Sequence, residues 1–229
     1  MVVLNRYPEL AERLIESISR THESLPSILI VRDRNAHEYH NVNIQTIDAP
    51  EPFIFARNAN IGIQLFPGRD VFLCNDDIQI TEPNFFDRLH SISCKWLSCG
   101  LISSVIAGGV GNRIQDFNSI SQYWEGLPED ICIGEGTVCF PCVLLKRDAI
   151  NSVGLLDENL TGYGLDDDDY CLRTREKGFW TMITRQLCVN HGNGGPGISR
   201  GFNYSLSFVR EPEKFSNLDY FNKKHSAQK

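Results

Sequence analysis

The sequence predicts an α/β fold: a mostly parallel central sheet with helices on both faces. Three observations carry this expectation. Short apolar runs alternate with amphipathic helical stretches along the first half of the chain. Runs such as Ile28-Leu-Ile-Val31 and Val71-Phe-Leu-Cys74 are continuously apolar, as in strands buried on both faces. Two of them pass directly into polar clusters, Arg32-Asp33-Arg34-Asn35 and Asn75-Asp76-Asp77. Those clusters fall at strand carboxyl ends, where open α/β sheets bind ligands.

Taken in order, Met1 to Leu4 reads as a first strand. Pro8 then opens a helix at its favoured first-turn position, with Glu9 placed well for the helix dipole. Leu10, Leu14, Ile15 and Ile18 share one face of that helix, and Pro26 breaks it. Ile28–Val31 is the second strand and Val42–Ile47 the third, and Ala56-Arg57-Asn58-Ala59-Asn60-Ile61-Gly62 looks like a helix start. The fourth strand covers Asp70–Cys74. Leu101–Ile106 is apolar and leads through Gly108-Gly109 into a polar, aromatic stretch containing Tyr123 and Trp124. Two more strands are expected, at Gly136–Leu145 and around Met182–Val189. Arg147–Val153 forms a short helix stopped by Gly154, and a longer one follows Asp166-Asp167-Asp168-Asp169 and ends at Gly178. After Pro212 the polar tail docks as a short helix or frays. With no repeat, low-complexity tract or linker, residues 1–229 read as one domain.

Composition narrows the function classes. The 229 residues carry a net charge of −7 with no cationic block, which argues against nucleic acid or an anionic membrane as partner. No apolar run reaches the roughly 18–20 residues that span a bilayer. Pro8 and Glu9 come too early for a secretory signal, so a cytoplasmic location is expected. In that compartment the 8 cysteines read as free thiols, several inside apolar runs. Cys139-Phe-Pro-Cys142 has redox or zinc spacing but lies in an apparent strand and lacks a second close pair, so core packing is the better reading.

Three constellations carry chemistry. Asn75-Asp76-Asp77 at a strand end suits a hard divalent cation, or is simply a turn. In the second, Gly164-Leu165-Asp166-Asp167-Asp168-Asp169, four adjacent carboxylates repel one another. One or two facing the crevice could serve as general base, the rest being a solvated acidic cap; a calcium loop is the other reading. His191 follows a strand end and precedes a Gly-rich segment able to act as a lid, Gly192–Gly201.

The order of these motifs resembles that of an inverting GT-A glycosyltransferase of the family-two type, over nearly the whole chain from Leu4-Asn5-Arg6-Tyr7-Pro8 to His191. The resemblance implies a Rossmann-like GT-A domain with a small acceptor-side subregion. It implies nucleotide contacts from Asn5, Asp33, Arg57, Asn75 and Asp76, and a Mn2+ or Mg2+ ion held by Asp77 and His191. Asp167 would be the catalytic base, with Asp166 beside it on the substrate side, although the two could exchange roles. Trp124, Glu135 and Gly136 would line the sugar pocket, and Arg200 would add counter-charge. The implied partners are a nucleoside diphosphate sugar, UDP- or dTDP-linked, and an acceptor hydroxyl on a glycan. Asn75 stands where the family has an acid, and Asp166 where it has Glu. The competing readings are a sugar-nucleotide pyrophosphorylase-like enzyme and a non-catalytic carbohydrate- or calcium-binding module.

Overall fold

The computed structural model describes residues 1–108, 112–119, 124–126, 132–133, 136–161, 164–192 and 212–226. Its strands are β1 Val2–Asn5, β2 Ile28–Arg32, β3 Ile44–Asp48, β4 Val71–Asn75, β5 Ile78–Gln79, β6 Cys99–Ala107, β7 Cys132–Ile133, β8 Cys142–Leu145 and β9 Trp180–His191. The helices are α1 Pro8–Thr21, α2 Phe55–Leu65, α3 Phe85–Ser93, α4 Arg147–Val153, α5 Asp166–Glu176 and α6 Pro212–Ser226. Among the described residues no helix is long and apolar enough to cross a membrane.

All these strands join one sheet in the order β3-β2-β1-β4-β8-β6-β9-β5, with β7 paired to β9. The first four are mutually parallel. β8 then enters antiparallel between β4 and β6, and β6 and β9 run parallel to each other. The sheet is therefore parallel in its N-terminal half and mixed beyond β4. Two successive reversals return β6 and β9 to the direction of β4. The carboxyl ends of β1, β2, β4 and β9 consequently lie along one edge of the sheet.

Period-two alternation divides the core between the two faces. Val2, Leu4, Leu29 and Val31 pack with α2, α4 and α5. Val3, Ile28 and Ile30 pack with Leu14 and Ile18 of α1 and with α3. On the first face α2 approaches β1 so closely that a Cβ on Gly62 would sit 2.3 Å from a Val2 methyl.

Several local expectations shift. β3 starts at Ile44, leaving Val42 fully exposed, and α1 ends at Thr21, before Pro26. The strand expected from Gly136 begins only at Cys142. Residues 137–141 lie outside any ladder; Pro141 has no N–H to donate, and the backbone of Val138 and Cys139 bonds to side chains instead. α3 and the short β5 and β7 had no clear sequence signal. The tail is a full helix, α6.

Candidate functional site

β1 and β4 are joined at their carboxyl ends by one carboxylate. Asp76 Oδ2 accepts from Asn5 Nδ2 at 3.0 Å, from the Arg6 N–H at 2.8 Å and from the Tyr7 N–H at 3.0 Å. Asn5 in turn accepts from Asn35 Nδ2 and the Tyr39 hydroxyl through Oδ1. Burial and the charge of Asp77 push the Asp76 carboxyl up to about 6, against the pull of its three donors. Asn5 and Asp76, expected to touch nucleotide, are thus engaged in holding the loop after β1. Asn75 adds the connection to the next strand, its N–H donating to the Pro141 carbonyl at 2.9 Å.

Asp33, just past β2, is 1% exposed, and its Oδ2 has no hydrogen-bond partner. Burial raises its pKa even though Arg6 and Arg34 stand 3.9 and 4.0 Å away. A buried acceptor of this kind is available to an N–H donor on a ligand. Arg57 differs from expectation: its guanidinium donates to the carbonyls of Pro50 and Pro52. One guanidinium nitrogen, Nη2, serves both carbonyls, so the side chain braces that loop where a nucleotide contact was expected. The adjacent Asn58 is 1% exposed, with both amide atoms unpartnered. It went unnoticed because, in sequence, it is one more residue at a helix start.

The turn after β4 sends Asp77 the opposite way from Asp76. β5 pairs antiparallel with the end of β9, placing Ile78 opposite His191. Asp77 Oδ1 then lies 3.4 Å from His191 Nε2, and the Gly192 N–H closes the turn onto the Asp77 carbonyl at 3.0 Å. Asp77 Oδ1 is buried with no hydrogen-bond partner. A carboxylate oxygen without a donor beside an imidazole nitrogen is a donor set that fits Mn2+ or Mg2+. Among the described residues no group of three or more His, Cys, Asp or Glu could hold a metal, so any further ligands must come from elsewhere.

The four aspartates opening α5 have four different environments: Asp166 and Asp169 are buried, while Asp167 and Asp168 are partly exposed. Asp169 is fully buried and meets Arg173 at 2.8 Å, Lys224 at 2.6 Å and His225 at 2.9 Å. Asp168 Oδ1 accepts from the Thr137 hydroxyl at 2.7 Å. Asp167 Oδ1 accepts from the Asp168 N–H at 3.0 Å. Burial, aided by the Asp168 charge, pushes the Asp167 carboxyl up to about 7; the Asp168 N–H and the Cys139 thiol oppose that shift. Asp166 is 3% exposed, with Oδ2 taking the Gly164 N–H at 2.9 Å and Oδ1 unpartnered. Burial holds its pKa well above the ordinary carboxylate range.

The segment 137–141 connects the two acidic regions. Cys139 hydrogen-bonds Asp167, and two residues further on Pro141 accepts from Asn75. The Gln115 side chain clamps Cys139 on both sides, accepting its N–H at 2.8 Å and donating to its carbonyl at 3.2 Å. Asp167 and the Asn75–Asp77 turn are therefore neighbours through one short, anchored stretch. Thr137 leaves no sequence signal and the Cys139-Phe-Pro-Cys142 spacing does not point to Asp167, since the partners of both residues lie about 30 residues downstream.

Trp124 corrects the expected sugar platform. It is fully buried, with its indole N–H on the Ile114 carbonyl at 3.0 Å and Arg185 over the ring at 5.8 Å. Its position among flanking apolar and polar residues could not distinguish a platform from core, and core packing took it. Gly136 is exposed, and its carbonyl accepts from Arg175 and Thr181. Glu135, Arg200 and the Gly-rich segment from residue 193 onward lie outside the described residues.

No protein-family model and no curated protein sequence matches this chain. Solved structures do. One is GalNAc-T7 with UDP, GalNAc and Mn2+: TM-score 0.64, 11% identity, covering 83% of this chain and 43% of that one. Another is the mannosyltransferase PcManGT from Pyrobaculum calidifontis with GDP-Man and Mn2+: TM-score 0.61, 14% identity, covering 87% of this chain and 58% of that one. This chain spans about half the length of the structures it matches. The helix-flanked mixed sheet, with its acids gathered at one edge, has the GT-A fold of those glycosyltransferase structures.

Proposed function

We propose that this chain is a metal-dependent, inverting glycosyltransferase that moves a sugar from a nucleoside diphosphate sugar to an acceptor hydroxyl, such as one on a glycan. The observation that carries the reading is the pairing of Asp77 with His191 on the same sheet edge as Asp166, which keeps one oxygen unpartnered, and Asp167, whose carboxyl is raised to about 7. The bound nucleotides and Mn2+ in the two similar structures support it.

In this mechanism Asp77 and His191 would hold a Mn2+ or Mg2+ ion, a hard cation that also favours phosphate oxygens. Such an ion would supply counter-charge for the departing diphosphate beside these acids. Asp33 accepts from the nucleobase through its open Oδ2; UDP- and dTDP-sugars are the leading donors, with GDP-sugars as comparison. Asp167 takes the proton of the acceptor hydroxyl as its oxygen attacks the anomeric carbon from the side opposite the diphosphate. One displacement with one base inverts that centre. An acid raised to about 7 is matched to this task near neutral pH. Asp166 Oδ1 accepts from an acceptor hydroxyl. The cysteines among the described side chains are all free, including Cys74 and Cys142 with sulfurs 3.6 Å apart, which fits a reducing compartment such as the cytoplasm.

The test is a thermal-shift panel of UDP-, dTDP- and GDP-sugars with Mn2+, Mg2+ or chelator, followed by nucleotide-release assays with candidate acceptors and NMR of the product anomer. A bound ligand raises the melting temperature of the folded state. Expected is a rise that requires both nucleotide and metal, then a product of inverted configuration. Retained configuration would remove Asp167 as single base, and absence of any shift across the panel would remove the reading altogether.

A further inference from the structure

We infer that Asn217 of α6 is a positioning residue for Asp166: it anchors the turn that leads into α5, so that one carboxylate oxygen stays committed to the chain and the other stays open to substrate. The inference rests on the proposed transferase reading and extends it to a helix that the chemistry does not otherwise involve.

α6 presents one face to the acid-bearing region. Asn217, Tyr220 and Lys224 are spaced i, i+3 and i+7 and so share that face. Its last turns are held by charge: Lys224 bridges Asp157 and Asp169 at 2.6 Å each, His225 reaches Asp169 at 2.9 Å, and the Tyr220 hydroxyl donates to Asp157 at 2.9 Å. Asn217 does something different. It is 1% exposed, and its Nδ2 donates to two backbone carbonyls, Thr161 at 2.8 Å and Gly164 at 3.1 Å. Both amide hydrogens are used, and they pin the two described ends of the loop entering α5.

That loop needs an anchor. Gly164 has φ +118° and Leu165 φ +67°, two successive residues in the left-handed region. For leucine this conformation is strained, and such strain persists only where surrounding contacts over-determine it. The reversal brings the Gly164 N–H onto Asp166 Oδ2 at 2.9 Å. Gly164 is thus held through its carbonyl by Asn217 and through its N–H by Asp166. If Asn217 lets go, the turn relaxes, Gly164 leaves Asp166, and the carboxylate loses its fixed direction. Lys224 contacts neither Gly164 nor Asp166, so it separates anchoring of the helix from anchoring of the turn.

The experiment compares Asn217→Ala with Lys224→Met in the full chain. Each variant is measured for Tm, affinity for UDP with Mn2+, kcat, acceptor KM and hydrogen exchange of the Gly164 amide. For Asn217→Ala, kcat is expected to fall and acceptor KM to rise about tenfold each, because small misplacement of a reacting group is costly, while nucleotide affinity stays unchanged. The Gly164 amide should exchange about tenfold faster in Asn217→Ala, local opening being set by its own hydrogen bonds, and stay protected in Lys224→Met. Lys224→Met should lose Tm and keep its acceptor KM. Unchanged Gly164 exchange in Asn217→Ala overturns the inference, whatever the chain catalyses. So does loss of activity that merely tracks Tm across both variants. If wild-type protein transfers no sugar while Gly164 exchange still responds as expected, the transferase reading fails and the anchoring role stands.

Discussion

Asp76 at the end of β4 and Asp166 at the start of α5 are the same residue type, similarly buried, and they do opposite things. Asp76 gathers three donors on one oxygen, and its carboxyl moves only to about 6 although burial and Asp77 both push it upward. Asp166 receives one backbone N–H, keeps Oδ1 open, and stands well above the ordinary range, mainly through burial. A buried carboxylate whose lone pairs are met by the chain is a fastener. One left partly unmet retains the desolvation cost of its charge, and that cost is relieved when a ligand supplies the missing donor. Around the Asp76 fastener the strand-end region leaves Asp33, Asn58 and Asp77 with unpartnered atoms, whereas in the first turn of α5 Asp166 alone keeps an oxygen open, beside an Asp167 that already has donors.

The largest effect expected from this contrast is on catalysis. Asp167→Asn should lower kcat by about 1000-fold, within the range general bases contribute, while affinity for nucleotide and Mn2+ stays within twofold. Equal loss of both would make Asp167 a structural or metal residue. Next, Asp77→Ala should remove the metal-dependent part of nucleotide affinity, about 100-fold for a lost charge-neutralising ion. Titration calorimetry in Mn2+ and in chelator checks it, and identical affinities in wild-type protein would break the metal assignment.

Asp76→Ala tests the fastener. Leaving three donors without an acceptor should cost about 3 kcal/mol, or roughly 6–12 °C of Tm for a chain of this size. If Tm is unchanged and nucleotide binding is lost, Asp76 belongs with the ligand contacts instead. Stability against pH tests Asp167 separately. Asp167 binds its proton more tightly in the folded chain than in the unfolded one, so its ionisation opposes folding as pH rises from about 4 to 7. The Asp167→Asn variant should therefore melt above wild type at pH 8 and level with it at pH 4, and wild-type kcat should climb through about pH 7. Smallest of all, Trp124→Phe should cost about 1–2 kcal/mol as a core change and leave donor affinity untouched; a lost donor affinity would restore the ring to the sugar pocket.

Much of the frame was legible before any coordinates. Pro8 and Gly154 bound their helices where expected, and Asp33 and Asn75-Asp76-Asp77 fall at strand carboxyl ends. The pairing of Asp77 with His191 was expected only from motif order, since 114 residues separate them in sequence. The mixed half of the sheet was less legible, because an antiparallel β8 and a parallel β6 are equally apolar and continuous.

Strand and helix periods, proline and glycine punctuation and the placing of acids at element ends are properties of neighbouring residues, so the chain alone determined the α/β frame and the strand ends where the acids fall. The partners of each polar group are not local. Arg57 went to two proline carbonyls, Trp124 to the core, Asp76 to the β1 loop and Asn217 to the turn before α5. Only the tertiary structure decided which carboxylates are satisfied and which remain open, because a buried lone pair is met or missed by atoms that the fold brings from far along the chain.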